Sequence, residues 1–255
     1  MNSKYFSVEV KPTIAASKQH AGGFTAGNVM FDWVAVQVPR GTACLRSATL
    51  LVRPKGDASP TANQSDLNVV FAKSSDTSLG TVGSSLDHRP NNDFLGVIQF
   101  PGGSYPSSAY QSTAVATMPA ADDSGSGSAP IVLTPANNSD SHAGFDTIYV
   151  GGVAGGSFDF RSINVINDGD INSTAVTAVV MTGSGMDVRE HFAVGDVLHA
   201  QDDILLGTVA SIDAATTGPI NLTAATSGAG DATTVANGDT IYNIHPIRLI
   251  LGFEY

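Results

Sequence analysis

Tyr5-Phe-Ser-Val-Glu-Val-Lys alternates apolar and polar positions, and a period of two predicts a strand with one buried face. The same pattern predicts a strand over Val29 to Val38, where Phe31, Trp33 or Val34, Val36 and Val38 offer an inward side. Cys44 to Arg53 is another, stopped by Pro54. Leu67 to Lys73, Phe94 to Phe100, Ile131 to Thr134, Phe145 to Val150, Phe158 to Ile166 and Ala175 to Met181 bring the total to about nine strands before residue 183.

Between these runs the chain is irregular. Gly22-Gly23 in the link from Lys11 to Asn28 argues against a persisting helix, and Ser74 to Pro90 reads as a loop with one helical turn. Ser104 to Pro130 is the least patterned stretch, with Ser124-Gly-Ser-Gly-Ser at a loop tip. No segment holds a 3.6-residue period for three turns, so the fold class is all-β. Residues 1–185 are expected to form an antiparallel β-sandwich, jelly-roll-like or Ig-like.

Thr182-Gly-Ser-Gly-Met-Asp marks a boundary, and the pattern then changes scale. Short β runs separated by Gly-Asp and Asn-Gly turns over residues 190–244 predict a small antiparallel β-barrel domain. His245-Pro246 interrupts it and leaves 245–255 as a separate C-terminal strand. That strand has no room to turn again and is expected to rejoin the sandwich beside Tyr5 to Lys11.

Composition narrows the functional classes. Hydrophobic residues make up 42%, enough for a real core, while charged residues are 14% against about 25% in an average soluble domain. Net charge is −11, which repels phosphate backbones and anionic membranes and attracts a basic patch on a protein partner. The single Cys44 excludes an intrachain disulfide and a multi-cysteine zinc site. The first residues have no long apolar run or small-residue cleavage site, so no signal peptide is expected, and no apolar stretch reaches the ~20 residues of a membrane helix.

Candidate chemistry is sparse. The six histidines are scattered; His191 and His199 flank one run and stand near Asp202 and Asp203 in the chain. Asp168-Gly-Asp-Ile-Asn172 resembles a calcium loop but has Ser173 in place of the glycine and Val179 in place of the closing acid, so a turn is expected. Gly125-Ser-Gly-Ser lacks a strand–turn–helix context, Cys44 lies within a strand, and Gly228-Ala-Gly-Asp lacks the third glycine of a dinucleotide fingerprint. A hydrolase with two acids far apart in the chain stays open. Trp33 with Phe31, or Tyr105 with Tyr110, would suit a sugar-stacking face, with Trp33 expected in the core and the two tyrosines in an exposed loop.

Phe192-Ala-Val-Gly-Asp-Val-Leu, Leu206-Gly-Thr-Val-Ala-Ser-Ile-Asp, Ile220-Asn-Leu-Thr and Asn237-Gly-Asp-Thr-Ile-Tyr together resemble small β-barrel segments in virion proteins of tailed bacteriophages, marine cyanobacterial phages especially. The resemblance spans about 60 residues. It implies a capsid decoration or cement protein, with a tail fibre or neck component, or a carbohydrate-binding module, as the alternative. It also implies no catalytic residues, no metal and no cofactor. The expected partners are the major capsid protein or other virion proteins and further copies of the chain, a trimer favoured, with no nucleic acid and no membrane. The expected location is the virion, after synthesis in the host cytoplasm. The contact residues expected are Tyr5, Phe6 and Val8 of the first strand, Tyr105 and Tyr110 of the irregular loop, and Ile247, Leu249, Leu251 and Phe253 of the last strand.

Overall fold

The computed structural model describes residues 4–41, 43–56, 61–87, 92–105, 114–118, 131–133, 145–161, 165–171, 176–182, 187–213, 219–224 and 235–255. Its first part carries β1 (Tyr5–Val10), a short helix α1 (Ala16–Ala21), β2 (Val29–Pro39), β3 (Ala43–Val52) and β4 (Leu67–Ala72). Next come β5 (Phe94–Phe100), β6 (Ala114–Met118), β7 (Ile131–Leu133) and β8 (Phe145–Ala154). The second part holds β9 (Ile166–Asn167), β10 (Ala178–Val179), β11 (Met181–Thr182), helix α2 (Val188–His191), β12 (Val197–Ala200) and β13 (Leu205–Ile212). The chain ends with β14 (Ile220–Leu222), β15 (Ile241–Asn243) and β16 (Ile247–Glu254).

Two antiparallel sheets face one core. The first has the order β1-β16-β3-β6, with β7 also pairing β3, and the second has the order β2-β8-β4-β5. Alternation explains the facing: Leu45, Leu50, Leu249, Leu251 and Phe253 point inward from the first sheet and meet Val36, Val69, Phe71, Ile98 and Val150 from the second. Setting β7 aside and counting the sandwich strands in chain order, one sheet reads 1-8-3-6 and the other 2-7-4-5. Successive strands therefore cross from sheet to sheet, except at the β4–β5 pair within one sheet.

The C-terminal strand lies where the sequence pattern put it. β16 runs antiparallel between β1 and β3, pairing Phe6 with Phe253 on one side and Leu249 with Leu50 on the other. Its burial alternates strictly at Ile247, Leu249, Leu251 and Phe253, which fixes the register, since a one-residue slip would expose all four.

β2 departs from simple alternation. Register shifts between Val29 and Phe31 and between Phe31 and Val34 let Phe31 and Val34 both pack on the core. Trp33 is only partly buried, beside Gly151 on the outer side of the sheet.

Residues after Phe160 build a second core from Val165, Val179, Met181, Val188, Phe192, Leu198, Leu206, Val209, Ile220 and Ile241. This core takes in β9 to β11, which lie on the N-terminal side of the 182–187 boundary drawn from sequence. Of Phe158 to Ile166, expected as one strand, the described residues before β9 supply a single bridge, from Phe158 to Phe24.

Among the described residues the expected small barrel is not closed. The sheet β10-β14-β13-β12-β15 stays open, and the two-stranded pair β9–β11 with single bridges such as Ile166–Thr240 spans the gap between its edges. Bulges at Leu198/His199 and Val209/Ser211 and ladders only two or three residues long break the continuous pairing that closure needs.

The segment around α1 fastens the second core to the sandwich. Gln19 is buried, and its Nε2 donates to the carbonyls of Ile14 at 2.8 Å and Asn243 at 2.9 Å. The Ile14 N–H donates to Ile244 O at 2.8 Å, and His20 Nδ1 lies 3.0 Å from the Tyr242 hydroxyl. No helix among the described residues is long and apolar enough to cross a membrane.

Candidate functional site

The first sheet carries both described ends of the chain, and its outer strand is β1. Among the described residues β1 pairs only with β16. Lys4 N–H donates to Tyr255 O at 3.2 Å and Tyr255 N–H returns to Lys4 O at 3.0 Å, which makes Lys4–Tyr255 a mutually bonded pair. In an antiparallel ladder such pairs recur at every second residue. Phe6, Val8 and Val10 therefore bond β16, while Tyr5, Ser7 and Glu9 direct their N–H and C=O groups away from it. Those three residues form the open edge, and their side chains are exposed too, Tyr5 at 75%.

The outer face of this sheet mixes apolar and charged groups. Ile250 on β16, Val132 on β7 and Tyr255 are exposed. Glu9 pairs with Lys11 at 3.3 Å and with Arg248, whose Nε lies 2.7 Å from Glu9 Oε1, and Arg46 pairs with Glu254 at 2.5 Å. Partial burial works to raise the Glu9 pKa, but the bonds from Arg248 and Lys11 outweigh it and hold the carboxyl below its usual range. Exposed pairs of this kind add little stability. Charges along an open edge limit indiscriminate strand pairing.

The residues expected from sequence to make contacts separate by depth. Tyr5 is exposed, whereas Phe6 and Val8 turn inward, with the Phe6 ring 5.8 Å from Phe145. Ile247, Leu249, Leu251 and Phe253 are core residues shielded from any partner, because alternation aims them all between the sheets. Tyr105 is not exposed either. It lies in the core with its hydroxyl donating to Ser65 O at 3.1 Å, and burial, with the nearby Asp66 charge, pushes the phenol's pKa up. Tyr110, the loop tip at 124–128 and the boundary residues 183–186 lie outside the described residues.

Alternation alone could have flagged Ser7, Glu9 and Ile250 as outward positions. It gives no sign that β1 is an edge. Trp33, expected in the core, stands instead on the opposite outer face with its ring 6.0 Å from that of Phe94.

Among the described residues the candidate catalytic groups do not converge. His199 Nδ1 lies 2.9 Å from the backbone carbonyl of Asp203, while the Asp203 carboxylate is bound by the Ser17 N–H and hydroxyl. Asp170 accepts the Asn237 N–H at 2.8 Å, which fits a turn between neighbouring loops. Cys44 is half-buried on β3. Asp159 and Asp187 are held below the usual range first by hydrogen bonds from Arg161 and Arg189, so they stay ionised and engaged. No group of three His, Cys, Asp or Glu side chains among the described residues could hold a metal ion.

A small cavity at the junction is bordered by Gln19, Arg53, His191, Tyr242 and Asn243. At about 40 Å³ it admits a water molecule, whereas ligand pockets run to roughly 300–1,000 Å³. No family model, curated protein or solved structure matches this chain.

Proposed function

We propose that the protein is a structural subunit of a tailed-phage particle, of the capsid decoration or cement type, docking on other virion proteins through its terminal sheet. The observation that carries the docking mode is the edge of β1, which pairs only with β16 among the described residues and where Tyr5, Ser7 and Glu9 direct backbone groups away from it beside an exposed aromatic ring. An extended segment of a capsid subunit, or of a second copy of the chain, would add a strand there. Ile250, Val132 and Tyr255 on the adjoining face would supply apolar contact. A stable attachment needs roughly 1,200–2,000 Å² of buried surface in total, so the edge and this face would act together. Repetition over a closed lattice multiplies such contacts.

The strand order supports a jelly-roll reading of the sandwich, because 1-8-3-6 facing 2-7-4-5 is what two interleaved Greek keys produce. Jelly rolls serve in viral capsids and in lectins, so the fold by itself does not choose a function. In this reading the second core is a domain inserted between the last two sandwich strands. The virion assignment rests on the resemblance of the 192–242 segments, and the edge gives it a mechanism.

The deciding experiment mixes purified protein with undecorated phage heads, and separately with isolated tail parts, and reads co-sedimentation. Saturable binding to heads is expected, and absence of binding to both would overturn the reading.

A further inference from the structure

The outer face of the second sheet, on the side of the sandwich away from the terminal sheet, holds an arrangement that docking through β1 leaves unused. We propose that this face binds a neutral oligosaccharide, with Trp33 and Phe94 as the stacking platform and the adjoining 76–87 loop as a polar wall.

The platform is a product of small residues on the central strands. A methyl group at Gly151 of β8 would sit 2.2 Å from Leu79 Cδ1 and 3.2 Å from the Trp33 ring. Gly151 thus makes room for both side chains to lie across the sheet. Ala72 of β4 pairs with Phe94 in register. Over these two small residues Trp33, from one edge strand, reaches Phe94, from the other, at 6.0 Å between centroids and an interplanar angle of 52°. Phe94 stays 50% exposed, unlike the aromatic residues of the core.

The platform is held in place before any ligand arrives. The Trp33 indole N–H donates to Thr77 O at 2.8 Å. Thr77 N–H donates to Asn92 Oδ1 at 2.9 Å, and the buried Asn92 returns a bond to Thr77 O. Leu79 N–H donates to Asp32 Oδ1 at 2.9 Å while its side chain sits over Gly151. A loop pinned on both sides of an aromatic ring loses little freedom on binding.

The loop shapes an open groove of about 710 Å³ lined by its own residues, and Thr77, whose carbonyl holds the Trp33 indole, links it to the platform. Its described lining presents the exposed Asp76 carboxylate and the hydroxyls of Thr77, Ser78, Thr81 and Ser85. A neutral sugar matches both halves. Its C–H faces pack on the electron-rich ring faces, and its hydroxyls donate to the Asp76 carboxylate and exchange bonds with Ser and Thr. The same carboxylate disfavours an anionic ligand. Among the described residues the large exposed hydrophobic side chains of this face are Phe94 and Val97, with Trp33 and Tyr149 partly buried beside them.

Trp33 is the only tryptophan in the chain, so intrinsic fluorescence reads the site directly. Full-length protein titrated with cello-, malto-, manno- and chitohexaose is expected to give a saturable Trp33 emission change with at least one of them, in the micromolar to millimolar range. Phe94→Ala should weaken that binding about tenfold, as loss of one ring contact predicts. Tyr5→Ser should leave it unchanged. Trp33→Ala, followed by calorimetry, should remove it; should that variant fail to fold, Phe94→Ala decides alone. Absence of a saturable response to all four sugars, unchanged affinity in Phe94→Ala, or preference for a sulfated polysaccharide would overturn the proposal. None of these outcomes bears on capsid docking, which is read by co-sedimentation.

Discussion

Arg53 and Asp196 join the two cores. Arg53 Nη2, just past the end of β3, donates to Asp196 Oδ1 at 2.8 Å and Oδ2 at 2.6 Å, and both side chains are largely buried. Asp196 also accepts the Ala193 N–H at 2.8 Å and so shapes the turn leading into β12. Removing one member of such a pair leaves the other charge poorly solvated. Arg53→Ala is expected to lower stability by about 2 kcal/mol, below the fully buried case because some water reaches the pair. Replacing both residues with apolar ones of similar size should recover most of that loss. Urea unfolding of the three variants checks this.

Gln19 makes a second fastening through neutral bonds to Ile14 O and Asn243 O. Gln19→Leu keeps the volume but strands two buried carbonyls, at about 1–3 kcal/mol for each group left unsatisfied. Hydrogen exchange should show faster opening around residues 241–244 than in the β3–β16 ladder. Equal effects in both places would mean that the second core does not open separately.

Acid should loosen the same junction. Burial works to raise the Asp203 pKa, but the hydroxyl and N–H of Ser17 and the N–H of Ala16 outweigh it and hold the carboxyl below its ordinary 3.8. A depressed folded-state value means that the stabilisation is present above 3.8 and is lost as pH falls through the folded value. Glu9, Asp159 and Asp187 shift in the same direction. The melting temperature should therefore fall below about pH 4. Asp203→Asn should show a smaller fall, with the difference between the two proteins vanishing in strong acid.

The open edge gives a variant that separates docking from folding. Ser7 directs its N–H away from β16, so Ser7→Pro removes one docking donor and leaves the β1–β16 bonds intact. Stability should change by no more than about 1 kcal/mol, while binding to phage heads should fall at least about tenfold. Phe6→Pro, which breaks the ladder itself, should destabilise the fold by about 3 kcal/mol.

Neighbouring positions on β16 test the facing directly. Leu249 is fully buried and Ile250 is 41% exposed. Leu249→Ala is expected to lower stability by about 3 kcal/mol and Ile250→Ala by about 0.5 kcal/mol or less. Ile250→Ala should act on head binding instead.

The strands were legible because alternation is a local property. Tyr5–Val10, Leu67–Ala72, Phe94–Phe100 and Ile247–Glu254 each carry their period in six to eight consecutive residues. The C-terminal return was legible too, since His245-Pro246 separates an alternating apolar run from the short strands before it, and that run pairs with β1 and β3. The site was far less legible. Trp33 reads as inward in a regular strand, and the register shift between Phe31 and Val34 that sets it outside depends on β8. Tyr105 reads as a loop aromatic, yet its ring is buried and its hydroxyl reaches Ser65.

By itself the sequence determined that the chain is all-β, where most strands lie, which side chains share a face and that the two ends meet. Tertiary structure decided which strand neighbours which. Among the described residues it made β1 an edge, left the sheet β10-β14-β13-β12-β15 open where a barrel was expected, and brought Trp33 and Phe94 together over Gly151 and Ala72. The physical reason is the range of the forces. Side-chain period is written into adjacent residues, but strand order and register follow from filling one shared core with groups as distant as Tyr5 and Glu254.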